Sequence, residues 1–193
     1  FLIKKIRKPA IFLDRDGVIN LDYGYVHKIQ DFEFIDGIFN LSQQAVLNGY
    51  LILVITNQSG IGRGFYTLKE FEDLSDWMCK QFLGNGILIT KVYHSPFHPT
   101  CGIGEYKKDH ETRKPRPGMI HLAADEFDLD LNSSILIGDK KTDIQAGNNA
   151  GVGINVLYSH KGKSNIQFGK KLGFDTDLKY HLVKSLVEVI PLL

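Results

Sequence analysis

Ala10-Ile11-Phe12-Leu13-Asp14-Arg15-Asp16-Gly17-Val18 is the stretch on which the fold turns. Four apolar residues give way at once to two acids and a glycine, the pattern of a short buried strand whose carboxyl end carries polar groups. The pattern recurs twice. Tyr50-Leu51-Ile52-Leu53-Val54-Ile55 runs into Thr56-Asn57-Gln58-Ser59-Gly60, and Ser134-Ile135-Leu136-Ile137 runs into Gly138-Asp139. Strands that are apolar along their whole length are covered on both faces, as in parallel sheets.

The segments between them read as helices. Residues 38–47 form an amphipathic run stopped by Asn48-Gly49. Thr67-Leu68-Lys69-Glu70 fits a capping box, and Phe71, Leu74, Met78 and Phe82 follow on one stripe. Residues 89–93 predict a further strand, followed by a loop with Pro, Gly and His to about Thr112. Pro117-Gly118 opens a helix to about Phe127; residues 143–149 predict a helix, 152–156 a strand and 185–190 a short closing helix. This β-α alternation predicts an α/β fold: a Rossmann-like, doubly wound, mostly parallel sheet with helices on both faces. No repeat or linker divides the chain, so residues 1–193 read as one domain.

Composition narrows the classes. Of the 193 residues 43% are hydrophobic and 23% charged, which excludes wholesale disorder. With 23 Lys+Arg against 22 Asp+Glu, no global field draws the chain to nucleic acid or to an anionic membrane. Two cysteines, Cys79 and Cys101, exclude a disulfide framework and point to a reducing, cytoplasmic setting. No run approaches the ~18 apolar residues of a membrane span. In residues 1–8 the charges follow the apolar run, the reverse of a secretory signal. Neither nucleic acid nor a membrane is therefore expected as a partner, and a monomer is favoured with the oligomeric state left open.

In such sheets ligands gather outside the carboxyl ends of the strands, which is where the polar clusters lie. In extended backbone, Asp14 and Asp16 would address one point with Arg15 facing away, a pair suited to Mg²⁺ or to divided nucleophile and proton-donor roles. Thr56 and the donor-rich turn after it suit phosphate oxygens. Arg113-Lys114-Pro115-Arg116-Pro117-Gly118 offers Lys as a point charge and Arg as a bidentate anion clamp. Asp139 is placed to complete a metal site and Asp143 to orient a neighbour. Taken singly, these clusters are a turn, a Gly-rich connection, a basic loop and a helix cap; such readings do not predict all four in this order.

Asp14-Arg15-Asp16-Gly17-Val18, Thr56-Asn57, Lys114-Pro115 and Gly138-Asp139 with Asp143 resemble, in that order, the four motifs of haloacid-dehalogenase (HAD) superfamily phosphatases. The match spans about residues 10–157. Asp22-Tyr23-Gly24-Tyr25-Val26, Thr56 through Gly64, and Arg113 through Met119 are similar to one branch. That branch holds the D-glycero-D-manno-heptose 1,7-bisphosphate 7-phosphatases and the histidinol-phosphate phosphatases. The resemblance implies Mg²⁺-dependent hydrolysis of a sugar phosphate, here the 7-phosphate of the heptose bisphosphate. Asp14 would be the nucleophile and Asp16 the general acid and base. Asp14, the Asp16 carbonyl and Asp139 would hold Mg²⁺, with Asp143 behind them. Thr56 and Lys114 would hold the phosphoryl oxygens. Asp22, Tyr23, Gly24, Tyr25, Thr56, Asn57, Gln58, Ser59, Arg113, Lys114 and Lys140 would meet substrate. The spacings leave no room for a separate cap domain.

The chain departs from this branch in one loop. Many members hold a structural zinc there, and the aligned positions here are Ser95, Phe97, His110 and Thr112, with no thiolate pair. Zinc is therefore not expected, and apolar packing that includes Phe97 is expected to hold the loop. His94, His98, Cys101 and His110 suffice in number for another zinc site but match no paired-ligand spacing. Histidinol-phosphate phosphatase shares every catalytic residue and is the nearer alternative. A receiver-like phosphorylation switch also uses paired acids, Thr and Lys, but lacks a dedicated second acid such as Asp16. An inactive binding protein is the third alternative, although no catalytic residue is missing.

Overall fold

The computed structural model describes residues 7–159 and 178–193, so most of the signal-order reading at residues 1–8 lies outside it. Its described strands are β1 (Ala10–Leu13), β2 (Leu51–Asn57), β3 (Ile89–Ser95), β4 (Ile135–Gly138), β5 (Ile154–Tyr158) and β6 (His181–Val183). They form one sheet in the order β3-β2-β1-β4-β5-β6, with every pairing parallel. Strands are added outward from β1 through β2 to β3, and then from the other side of β1 through β4 to β6. The direction of winding reverses between β1 and β4, and a crevice opens there at their carboxyl ends.

Among the described residues, five α-helices lie between the strands: α1 (Ile38–Leu47), α2 (Ser59–Gly62), α3 (Leu68–Gly84), α4 (Gly118–Phe127) and α5 (Lys141–Ala150). Side-chain alternation divides the strands between two cores. Ile11, Leu13, Ile52, Val54, Ile135 and Ile137 pack with Leu41, Leu74, Met78 and Phe82 of α1 and α3 on one face. Ala10, Phe12, Leu53, Ile55 and Leu136 pack with Met119, Ile120, Ala123 and Ile144 of α4 and α5 on the other. That double coverage explains the unbroken apolar runs.

The elements follow the predicted order with local differences. Helix α1 has the predicted bounds, and α3 opens with the expected Thr67–Glu70 capping box. Strand β2 runs two residues further than expected, because Thr56 and Asn57 continue the ladder opposite His94 and Ser95. Strand β5 starts at Ile154 instead of residue 152. Val152 N–H bonds the Gly147 carbonyl at the end of α5, and Gly153 passes against the Asn132 carbonyl before pairing begins. The closing helix is a 3₁₀ turn, Leu186–Leu192, with Pro191 inside it. Sequence patterning missed β6, a three-residue edge strand too short to show a period. Between Asp16 and Thr56 lie a loop and α1; between Thr56 and Lys114 lie α2, α3 and β3, with no further folded unit.

Candidate active site

Asp14 follows the last residue of β1, and Asp139 the last residue of β4, so the parallel pairing itself brings them together. Gly17 permits the close approach: its φ is +96°, and a Cβ on it would lie 2.3 Å from an Asp139 oxygen. Asp143, in the first turn of α5, completes a group in which carboxylate oxygens of Asp14, Asp139 and Asp143 lie within 4.8 Å of one another. Among the described residues this is the one such group.

Lys114 points into this group from the basic loop and is 3% exposed. Its Nζ lies 2.9 Å from Asp14 Oδ1 and 2.6 Å from Asp143 Oδ1, and donates to the Ile55 carbonyl at 2.9 Å. Two carboxylates and one carbonyl thus surround the ammonium. Burial would lower the Lys114 pKa, but Asp14 and Asp143 more than offset it and hold the ammonium charged. Burial raises the Asp14 pKa; Lys114 opposes that rise and Asp143 adds to it. Burial, with Asp14 next, lifts Asp139 to about 7.

The oxygens differ in their remaining capacity. Asp143 faces the Lys114 ammonium with Oδ1, which has no hydrogen-bond partner, and accepts from the Lys140 N–H, 2.9 Å away, with its other oxygen. Asp14 Oδ1 accepts from the Arg15 N–H as well as facing Lys114. Asp139 Oδ1 is buried without a hydrogen-bond partner. An orphaned carboxylate oxygen beside two further acids is a costly arrangement unless a hard cation completes it, and these donors fit Mg²⁺.

Asp16 does not extend the period-two pattern. The backbone leaves β1 at Asp14 and tightens, with the Arg15 carbonyl accepting from the amides of Val18, Ile19 and Asn20. Arg15, expected to face away, is fully buried and curls back onto the Asp16 carboxylate, with Nε at 3.2 Å and NH2 at 3.0 Å. Asn20 Nδ2 donates to Asp16 at 3.0 Å and Gln58 Nε2 at 2.9 Å. Asp16 still lines the same cavity of about 410 Å³ as Asp14, Thr56 and Lys114.

The expected substrate residues divide into two sets. Asp22, Gly24, Tyr25, Ser59, Arg113 and Lys140 line the cavity, and Lys140 Nζ donates to Asp22 at 3.0 Å. Tyr23 does not line it: its ring is 62% exposed and its hydroxyl donates to Glu33. Asn57 borders the cavity, yet its amide is bonded on both sides to the Lys114 backbone at 3.1 Å and so anchors the basic loop. Gln58 borders it too, with its amide spent on Asp16, Thr56 and Tyr66. Tyr66 and Thr142 also line the cavity; Thr142 lies within the charged stretch Asp139-Lys140-Lys141-Thr142-Asp143, whereas Tyr66 belongs to no periodic or charged pattern.

In the loop before Arg113, Phe97 stacks on His110 with ring centroids 3.9 Å apart and also meets Tyr106. Thr112 Oγ1 donates to Ser95 Oγ at 3.1 Å and lies 2.8 Å from His110 Nδ1. The expected apolar packing is thus an aromatic stack joined to hydroxyl and imidazole bonds. The Phe97 carbonyl accepts from Arg113 NH1 at 2.8 Å, which ties the stack to the cavity wall. His94, His98, Cys101 and His110 do not gather: His94 packs on Phe71 and Cys101 is exposed.

A HAD-hydrolase-like family model matches residues 111–178. The chain is 52% identical over 161 residues to a D-glycero-alpha-D-manno-heptose-1,7-bisphosphate 7-phosphatase of Burkholderia mallei, covering 83% of this chain and 85% of the relative. It is 46% identical over 150 residues to a D-glycero-beta-D-manno-heptose-1,7-bisphosphate 7-phosphatase of Vibrio cholerae, covering 78% and 81%. Its fold is similar to the crystal structure of D,D-heptose 1,7-bisphosphate phosphatase from B. bronchiseptica complexed with magnesium and phosphate. That similarity has a TM-score of 0.79 at 25% identity, over 95% of this chain and 97% of that one.

Proposed function

This chain belongs to the HAD-like hydrolases, in the family of the heptose-1,7-bisphosphate 7-phosphatases, and from that premise we propose that it removes the 7-phosphate of D-glycero-D-manno-heptose 1,7-bisphosphate. The observation that carries the reading is the meeting of Asp14, Asp139 and Lys114 at the point where the winding of the sheet reverses.

Asp14 attacks phosphorus with a carboxylate oxygen as the bond from phosphorus to the sugar oxygen breaks, leaving an aspartyl-phosphate. Asp16 delivers its proton to the departing sugar oxygen. It then takes a proton from the water that attacks the aspartyl-phosphate, which restores Asp14 and releases phosphate. Thr56 and Lys114 hold phosphoryl oxygens where negative charge accumulates. Lys114 hands over one of its present bonds to do so, and its ties to Asp14 and Asp143 keep it pointed at the reacting atoms. Asp14, the Asp16 carbonyl and Asp139 would hold Mg²⁺, whose charge offsets the repulsion between an attacking carboxylate and a phosphate. Asp22, Gly24, Tyr25, Arg113 and Lys140 form the wall that meets the sugar and its second phosphate. The described residues act as one domain, with no folded cap between Asp16 and Lys114, and the free thiols Cys79 and Cys101 favour the cytoplasm.

Phosphate release from the heptose bisphosphate and from histidinol phosphate, each with and without Mg²⁺, tests the reading. The expected result is Mg²⁺-dependent turnover with kcat/KM higher for the heptose, abolished by Asp14→Asn. A preference for histidinol phosphate defeats the heptose assignment, and wild-type-like turnover of Asp14→Asn removes the nucleophile.

A further inference from the structure

We propose that Gln58 is a positioning residue, oriented by Tyr66, that turns the Thr56 hydroxyl hydrogen toward the cavity and steadies the Asp16 carboxylate beside it. The inference rests on the phosphatase reading above and adds to it the polarity of the site.

The direction of each bond follows from what the groups can do. Gln58 is 2% exposed, so its amide must find partners within the protein. The Arg15 guanidinium and the Asn20 amide nitrogen already donate to the Asp16 oxygens, so that side of the site accepts; the part of the amide facing Asp16 is the NH₂, and Nε2 lies 2.9 Å from Asp16 Oδ2. The same nitrogen has a second hydrogen, and Thr56 Oγ1 lies 2.9 Å from it. Oε1 is then left for Tyr66, whose hydroxyl donates to it at 2.5 Å. Burial pushes the Tyr66 phenol up to about 12, so it remains a donor at neutral pH. His27 stacks on the Tyr66 ring at a centroid distance of 5.0 Å and limits its rotation.

The chain of donors has one direction: Tyr66 to Gln58, and Gln58 to both Thr56 and Asp16. Thr56 accepts at its oxygen, so its own hydrogen is available to a phosphoryl oxygen in the cavity that Thr56 lines. With the amide reversed, Thr56 would donate to Gln58 and be lost as a phosphate donor. Gln58 therefore acts through two neighbours and need not touch substrate.

Gln58→Glu tests this most directly. It keeps the shape and the acceptor for Tyr66 while removing both N–H donors. The expected loss in kcat for the heptose bisphosphate is about 100-fold, the scale for removal of one donor to a developing oxyanion, with KM within about threefold. With an aryl phosphate, whose phenolate leaves without a proton, the loss should be smaller, because only the Thr56 share of the effect remains. Tyr66→Phe leaves both amide donors in place but unlocks their direction, and should cost about 10-fold with the same dependence on leaving group. A uniform loss of fold would not discriminate between leaving groups. Wild-type kcat in folded Gln58→Glu, or an equal loss on both substrates, overturns the inference. If Gln58→Glu does not fold, an unchanged kcat in Tyr66→Phe overturns it instead. Wild-type protein that releases phosphate from neither substrate defeats the phosphatase reading itself, whereas active wild type with indifferent variants defeats this inference alone.

Discussion

Gly17 sits at the tightest point of the candidate site, between the turn that carries Asp16 and the carboxylate of Asp139. Two requirements coincide there: a φ of +96°, which side chains with a Cβ avoid, and a space already filled by a carboxylate. Gly17→Ala should therefore displace Asp139 and lower kcat at least about 100-fold while leaving the fold intact, since errors near 1 Å in a reacting constellation have that effect. Near-native turnover of that variant would show that Asp139 can move without consequence. Asp14, Thr56, Lys114 and Asp139 were legible in the sequence because each lies at or near the end of an apolar run or opens a basic stretch. The direction of a side-chain bond was not legible. That Arg15 returns to Asp16, that Tyr23 turns out to Glu33 and that Gln58 is locked by Tyr66 and reaches Asp16 depend on how the backbone folds around them, which no periodic pattern encodes.

At the scale of elements, local chemistry and tertiary contact contribute in different proportions. Helix α3 was readable from its first turn, where Thr67 Oγ1 accepts from the Glu70 N–H at 3.1 Å and Glu70 accepts from the Thr67 N–H at 2.7 Å. Thr67→Ala should cost about 1 kcal/mol, read as a lower denaturation midpoint with unchanged slope. The backbone and hydroxyl bonds from Thr67 hold the Glu70 carboxyl below its ordinary range. A depressed carboxyl stabilises the fold above its unfolded value and loses that contribution as pH falls through the folded one. The gap in melting temperature between wild type and Glu70→Gln should thus be present at neutral pH and close in acid; a gap that widens in acid would reverse the assignment. Strand β6 and the start of β5 were not readable, because close backbone passage and edge pairing decide them. The loop of Phe97 and His110 is an intermediate case. Its stack was foreseen as packing, but its hydrogen bonds were not. Phe97→Ala should raise KM about 10-fold with a smaller change in kcat, since the loop that orients Arg113 loosens while Asp14 and Asp139 stay on their strands. A fall in kcat at constant KM would separate this loop from substrate binding.

Across the whole molecule, the two cores and the site meet at β1 and β4. Ile11, Leu13, Ile135 and Ile137 anchor one face and Phe12 and Leu136 the other, so both strand ends are fixed before any ligand arrives. What that rigidity holds together is three carboxylates and one buried ammonium, with an oxygen of Asp139 that has no hydrogen bond and faces only the Lys140 ammonium, 3.8 Å away. The native state carries this repulsion, whereas an unfolded chain would disperse it. A divalent cation that binds only the folded site must therefore stabilise the fold as a whole. At Mg²⁺ near one hundred times its dissociation constant the gain is about 2.7 kcal/mol. For a chain of this size that corresponds to a rise in melting temperature of roughly 5–10 °C. Chelation should reverse the rise, and Asp139→Asn should abolish it while leaving the metal-free protein at least as stable as wild type, because one of the opposed charges is gone. Scanning calorimetry of both proteins with and without Mg²⁺ reads all of these at once. A wild-type melting temperature indifferent to Mg²⁺, or one that still rises in Asp139→Asn, would mean that the acids at the ends of β1 and β4 do not share an ion.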